Sequence, residues 1–84
     1  MTISELQTAI EKINNGKENE VDQDAVRKEM GALQLKRRDG TITREEEILF
    51  WMFFESYDRA EAERWTAIMR GELKAGKSDD GYID

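Results

Sequence analysis

The sequence contains no cysteine, no histidine and no proline, and each absence removes a class of structure or function. Without cysteine there is no disulfide framework. Without either cysteine or histidine the usual zinc, haem and iron–sulfur ligand sets are missing, together with every Cys/His or Ser/His catalytic arrangement. Without proline, no helix is broken by a residue that lacks an amide donor. Long apolar runs are also scarce. The longest covers residues 48–54, far short of the ~20 residues that span a bilayer. The opening stretch, MTISELQTAIEK, lacks the basic and then apolar regions of a secretory leader. Neither G-x-x-x-x-G-K nor G-x-G-x-x-G occurs, so the phosphate-cradling loops built on those glycines are absent. The expectation is a cytoplasmic chain with no metal, no cofactor, no membrane span and no enzymatic activity.

What is present in quantity is charge. Charged residues make up 38% of the 84 positions, and the net charge is -6. The balance is -4 over residues 1–26 (2 basic, 6 acidic), +4 over 27–44 (6 basic, 2 acidic) and -6 over 45–84 (5 basic, 11 acidic). A basic block between acidic flanks can be neutralised by helix packing, or can dock an acidic partner. The candidate contacts for such a partner, or for nucleic acid, are Arg27, Lys28, Lys36, Arg37, Arg38 and Arg44. The acidic flanks disfavour nucleic acid. The carboxylates are interleaved with Lys and Arg, as on solvated helix faces, and suggest no acid/base pair.

Spacing predicts helices near residues 2–15, 22–38 and 44–75. Thr2 with Glu5 and Thr43 with Glu46 have capping-box spacing, and Asp22 can cap the middle helix, with Val21 and Val26 at the staple positions. Ile3, Leu6, Ile10 and Ile13 share one face, as do Val26, Met30 and Leu33. Gly16 and Gly40 suit the left-handed position that ends a helix. A helix over 44–75 would be ~45 Å long at 1.5 Å per residue, against ~30 Å for a compact chain of this size. It must break, protrude or be covered by a second copy. Ser56 and Asp58 are its weak point, with Asp58 and Glu61 forming a restart cap. The expected fold is all-α: a helical hairpin plus a long third helix, either continuous or broken near 56–58, within a single domain over residues 1–75. An acidic, flexible tail is expected over 76–84, and dimerisation through the third helix.

The stretch DGTITREEE resembles the second half of an EF-hand loop, with Asp39, Gly40, Ile42 and Glu46 in register. Its first and third positions, however, fall on Leu35 and Arg37, an apolar side chain and a cation where oxygen ligands are required. Calcium is therefore not expected. The longer stretch LQLKRRDGTITREEE is similar, over these residues, to the helical-hairpin pattern of short bacterial SHOCT-type modules, which implies a turn between two helices at Gly40.

The run ILFWMFF carries most of the functional information. At 100° per residue, Leu49, Phe50, Phe53, Phe54, Tyr57, Ala60, Trp65, Ala67 and Ile68 form one broad face, expected to be the core stripe. Ile48, Trp51 and Met52 lie on the reverse, with Glu55 beyond them. The first two helices offer too little amphipathic surface to cover both sides. Ile48, Trp51, Met52 and Glu55 are therefore the expected partner contacts, with Trp51 as the anchor. The expected function is a non-enzymatic helical interaction module, a small adaptor, regulator or inhibitor that self-associates or binds a protein partner. The alternative is an acidic nucleic-acid mimic, of the kind phage inhibitors use, that occupies the site of a nucleic-acid-binding protein.

Overall fold

The computed structural model describes residues 1–73, so the tail expected over 76–84 lies outside the described residues. Among those described, the secondary structure is wholly helical. There are four α-helices rather than three: α1 (Ile3–Asn14), α2 (Gln23–Asp39), α3 (Arg44–Phe54) and α4 (Arg59–Met69), with one 3-10 turn at Glu18–Glu20 between α1 and α2.

The caps are those the spacing called for. Glu5 N–H donates to Thr2 Oγ1 at 3.1 Å while Glu5 Oε1 accepts from Thr2 N–H at 2.9 Å. Thr43 and Glu46 repeat the exchange at 3.2 and 2.9 Å. Asp22 accepts from Ala25 N–H. Each pair satisfies amides that a helix start leaves without partners. At the other end of α2, Gly40 takes φ 77°, the left-handed conformation that only glycine adopts freely, and turns the chain into α3.

The long third helix is broken, for reasons visible in the neighbouring residues. Ser56 sits at φ 58°, outside helical space. Asp58 Oδ1 then accepts from Glu61 N–H at 2.8 Å and starts α4. The side chain of Asn14, at the end of α1, donates to the Met52 carbonyl at 2.9 Å. That carbonyl belongs to the last turn of α3 and would otherwise lack a partner.

α4 folds back along α3. Trp51 and Trp65 would lie ~21 Å apart on a continuous helix, yet their ring centroids are 6.3 Å apart. Two ion pairs tie the start of α3 to the chain at and beyond the end of α4: Glu47 with Arg70 at 3.0 Å, and Arg44 with Glu72 at 2.8 Å. α3 is thus the central element, with α1 and α2 against it on one side and α4 on another. The core joins Leu6, Ala9 and Ile10 to Val26, Met30 and Leu33, and both sets to Ile48, Leu49 and Met52. α4 adds Ala62 and a fully buried Thr66, small side chains that let its backbone approach α3 closely.

The break corrects the expected core stripe. Ile48 (0% exposed) and Met52 (1%), taken from sequence as the outward face, are among the most deeply buried residues. Leu49 is the one member of the expected α3 stripe that is fully buried. Phe50 and Phe53 are half-buried, and Phe54 is exposed. A continuous helix would have carried one stripe from Leu49 to Ile68. Once the chain reverses at residues 55–58, α4 becomes a separate covering element, and α3 can turn Ile48 and Met52 inward.

Candidate functional site

The aromatic residues of α3 and α4 divide into an inner group and an outer group. The inner group is Trp51, Tyr57 and Trp65, whose centroids are 6.3–6.4 Å apart in every pairing, with Tyr57 and Trp65 inclined by only 12°. Tyr57 is held there by the reversal at Ser56, and Trp65 by the fold-back of α4. Trp51, the expected anchor, is therefore half-buried beneath its own chain. The missing cover for the reverse side of α3 is supplied by α4. Glu55 caps the end of α3 and is exposed. Of the four expected partner contacts, Ile48 and Met52 have no surface to offer, Trp51 offers part of one, and Glu55 stands alone at a helix end.

The outer group is Phe50, Phe53 and Phe54. Phe54 lies 4.7 Å from Phe50 and 5.1 Å from Phe53, centroid to centroid, and is 41% exposed. Across a shallow hollow from Phe50 stands Leu35, at 54% one of the most exposed apolar residues. The walls of that hollow are completed by Gln34, Arg37 and Arg38 at the C-terminal end of α2. Arg37 spreads over two rings, its guanidinium carbon 4.8 Å from the centroid of Phe50 and 5.4 Å from that of Trp51. Such a cation over an aromatic face is attracted by the ring quadrupole. It also binds the outer group to the inner one. Phe50, Phe53 and Phe54 were assigned to the core by periodicity, and only the location of the chain reversal could have moved them outward.

The six basic candidates do not form one patch. Arg27 pairs with Asp24 at 3.1 Å, and Lys28 is exposed in the first half of α2. Lys36 binds Glu46 at 2.7 Å and Arg44 binds Glu72 in a fork. Burial alone pushes the Glu46 carboxyl up, but hydrogen bonds from Lys36 and Thr43 outweigh it and hold that carboxyl below its ordinary range. The hydrogen bonds between Arg44 and Glu72 hold the Glu72 carboxyl down in the same way. Arg59, not among the expected contacts, gathers Gln7, Glu45 and Glu63, each at 2.7 Å, and so fastens α4 to both α1 and α3. What remains at the hollow is Arg37, committed to the rings, and Arg38, whose contact with Asp39 at 3.4 Å joins two exposed side chains. An exposed pair of this kind contributes little and is easily exchanged.

Among the described residues no group of three or more acidic side chains is arranged to hold a metal ion, and no helix is long and apolar enough to cross a membrane. No protein-family model, curated protein or solved structure matches the chain.

Proposed function

We propose that the protein is a helical interaction module whose docking surface is the hollow between α2 and α3, and that its ligand is an acidic segment of a partner protein anchored by one or two apolar side chains. The observation that carries this reading is the conjunction of exposed Leu35 and Phe54 with Arg37 laid over Phe50. An apolar centre beside two cations, with no carboxylate lining the hollow, complements a ligand that is apolar in the middle and acidic at its edges. Apolar contact supplies affinity there, and charge sets orientation and partner choice.

The alternative, an acidic mimic of nucleic acid, has less support. Glu45, Glu46, Glu47, Glu63 and Glu72 are engaged by Arg59, Lys36, Arg70 and Arg44. A phosphate-like array would need such carboxylates free and evenly spaced on one face.

Panning a random linear peptide library against the purified protein tests the reading. Selected peptides are expected to combine Asp or Glu with an aromatic or aliphatic residue. Their affinity is expected to fall at least about tenfold, near 1.4 kcal/mol, in Phe54→Glu and in Arg38→Glu, which alter exposed side chains and should leave the helices intact. Peptides without acidic bias, or binding indifferent to both substitutions, would refute it.

A further inference from the structure

The link between α3 and α4, residues 55–58, is short and strained. Ser56 lies at φ 58°, the one non-glycine residue at positive φ among those described, where its Cβ crowds the backbone carbonyl. Neither glycine nor proline occurs between Thr41 and Arg70, so the chain reverses on a side chain that resists the conformation it holds. Short links under strain favour exchange of the element they carry. We propose that α4 is exchanged between two copies of this chain: the link opens, and the α4 of each copy packs on the α3 of the other, giving a domain-swapped dimer.

The contacts of α4 are of the kind that exchange preserves. Trp65 meets Trp51, Arg59 reaches Gln7 and Glu45, and Arg70 reaches Glu47 and the Ile42 carbonyl. Each of these partners lies before the link, in the body formed by α1, α2 and α3, so the body of a second copy offers the same set in the same arrangement. Ala62 and Thr66, fully buried where α4 packs on α3, fit a second copy's α3 as they fit their own. The closed and exchanged forms therefore differ in the link and in their dependence on chain concentration. A right-handed turn through the link takes Ser56 out of left-handed space and lets its N–H donate to the Met52 carbonyl, which accepts from Asn14 in the closed form. Tyr57 sits in the link, so its stacking on Trp51 and Trp65 is remade as the link opens.

Exchange leaves the α2 and α3 of each copy together. The dimer accordingly holds two of the hollows beside Phe50 where the closed chain holds one. Resting on the docking surface proposed above, a partner with two acidic segments then gains from the second contact through effective concentration. Chain concentration also separates exchange from simple opening. An α4 released in dilute solution uncovers Trp51 and Trp65, whereas a second copy covers them again.

Refolding the full chain from urea at low and at high concentration tests the proposal, with size-exclusion chromatography and light scattering as the first readout. Dimer is expected to accumulate in the concentrated sample. In dimer refolded from a mixture of isotope-labelled and unlabelled chains, nuclear Overhauser contacts between the Trp51 and Trp65 rings are expected to run between chains. Ser56→Gly, which takes φ 58° freely, should favour the closed monomer and raise the dimer dissociation constant at least about tenfold. Ser56→Ala/Asp58→Ala should lower that constant, and its red-shifted emission should return toward the parent's as concentration rises. A dimer whose Trp51–Trp65 contacts stay within single chains overturns the proposal, as does recovery of monomer alone from both the parent and the double variant at high concentration. Equal dissociation constants for Ser56→Gly and the parent would equally overturn it. None of these readouts involves the hollow, so loss of peptide binding there and loss of exchange are seen separately.

Discussion

At the scale of single residues, the structure depends on a few charged side chains that are neither free nor fully buried. Glu47 is 7% exposed as a side chain and is held by Arg70, which also donates to the Ile42 carbonyl at 2.8 Å. Arg70→Ala leaves a carboxylate in a nearly closed environment without its cation, and should cost about 2–3 kcal/mol in urea unfolding. Adding Glu47→Gln to that variant should restore a substantial part of the loss, because the penalty resides in the unpaired charge. Glu46 supplies a pH dependence whose sign follows from its depressed carboxyl. A carboxyl lowered on folding stabilises the native state above its unfolded-state value, and the contribution disappears as pH falls through the folded-state value. Lys36→Met should therefore be less stable than the parent at neutral pH. The gap should close as the pH drops below the ordinary carboxylate range, measured as urea midpoints across a pH series. A gap independent of pH would show that Lys36 acts through packing alone.

At the scale of elements, the decisive feature is the interruption between α3 and α4. It is encoded by Ser56 at φ 58° and by the Asp58 cap. Replacing both, in Ser56→Ala/Asp58→Ala, removes about 1 kcal/mol of capping and leaves a non-glycine residue in left-handed space. The variant should favour a continuous helix, raising the helical signal in circular dichroism while Trp51 and Trp65 move apart and their fluorescence shifts to the red. Unchanged spectra would mean that packing of Tyr57 and Trp65 fixes the reversal without the local signals. The same interruption explains how much of the fold was legible in advance. Helix starts at Thr2, Asp22 and Thr43, the Gly40 turn and the cores of α1 and α2 follow from local chemistry, and local chemistry is written in adjacent residues. Which side of ILFWMFF faces inward is not local. It depends on whether the chain reverses at Ser56, and a seven-residue apolar run is compatible with either face until a covering element is chosen. Ile48 and Met52 were therefore expected outside and Phe54 inside, whereas the first two are buried and Phe54 is exposed. The hydrogen bond that Asn14 donates to the Met52 carbonyl, across the chain from α1 to α3, is equally invisible to periodicity.

At the scale of the whole molecule, the covering of α3 by three helices leaves Leu35 and Phe54 exposed and Phe50 half-buried near Arg37. Of the charges that could have formed a broad basic face, Lys36 and Arg44 are paired across the fold, while Arg37 and Arg38 stand beside those rings. Trp51 is half-buried beneath this surface, with the Arg37 guanidinium 5.4 Å from its ring centroid. The account then stands or falls on where a ligand touches. The most direct measurement is side-chain chemical-shift mapping during titration with an acidic, aromatic-containing peptide selected by panning. The account predicts that shifts concentrate on Leu35, Phe50, Phe54 and the Arg37 and Arg38 side chains, and that they vanish in Phe54→Glu while the rest of the spectrum is preserved. Shifts centred instead on Ser4, Thr8 and Val21, or saturable binding that leaves Phe50 and Phe54 unmoved, would contradict it.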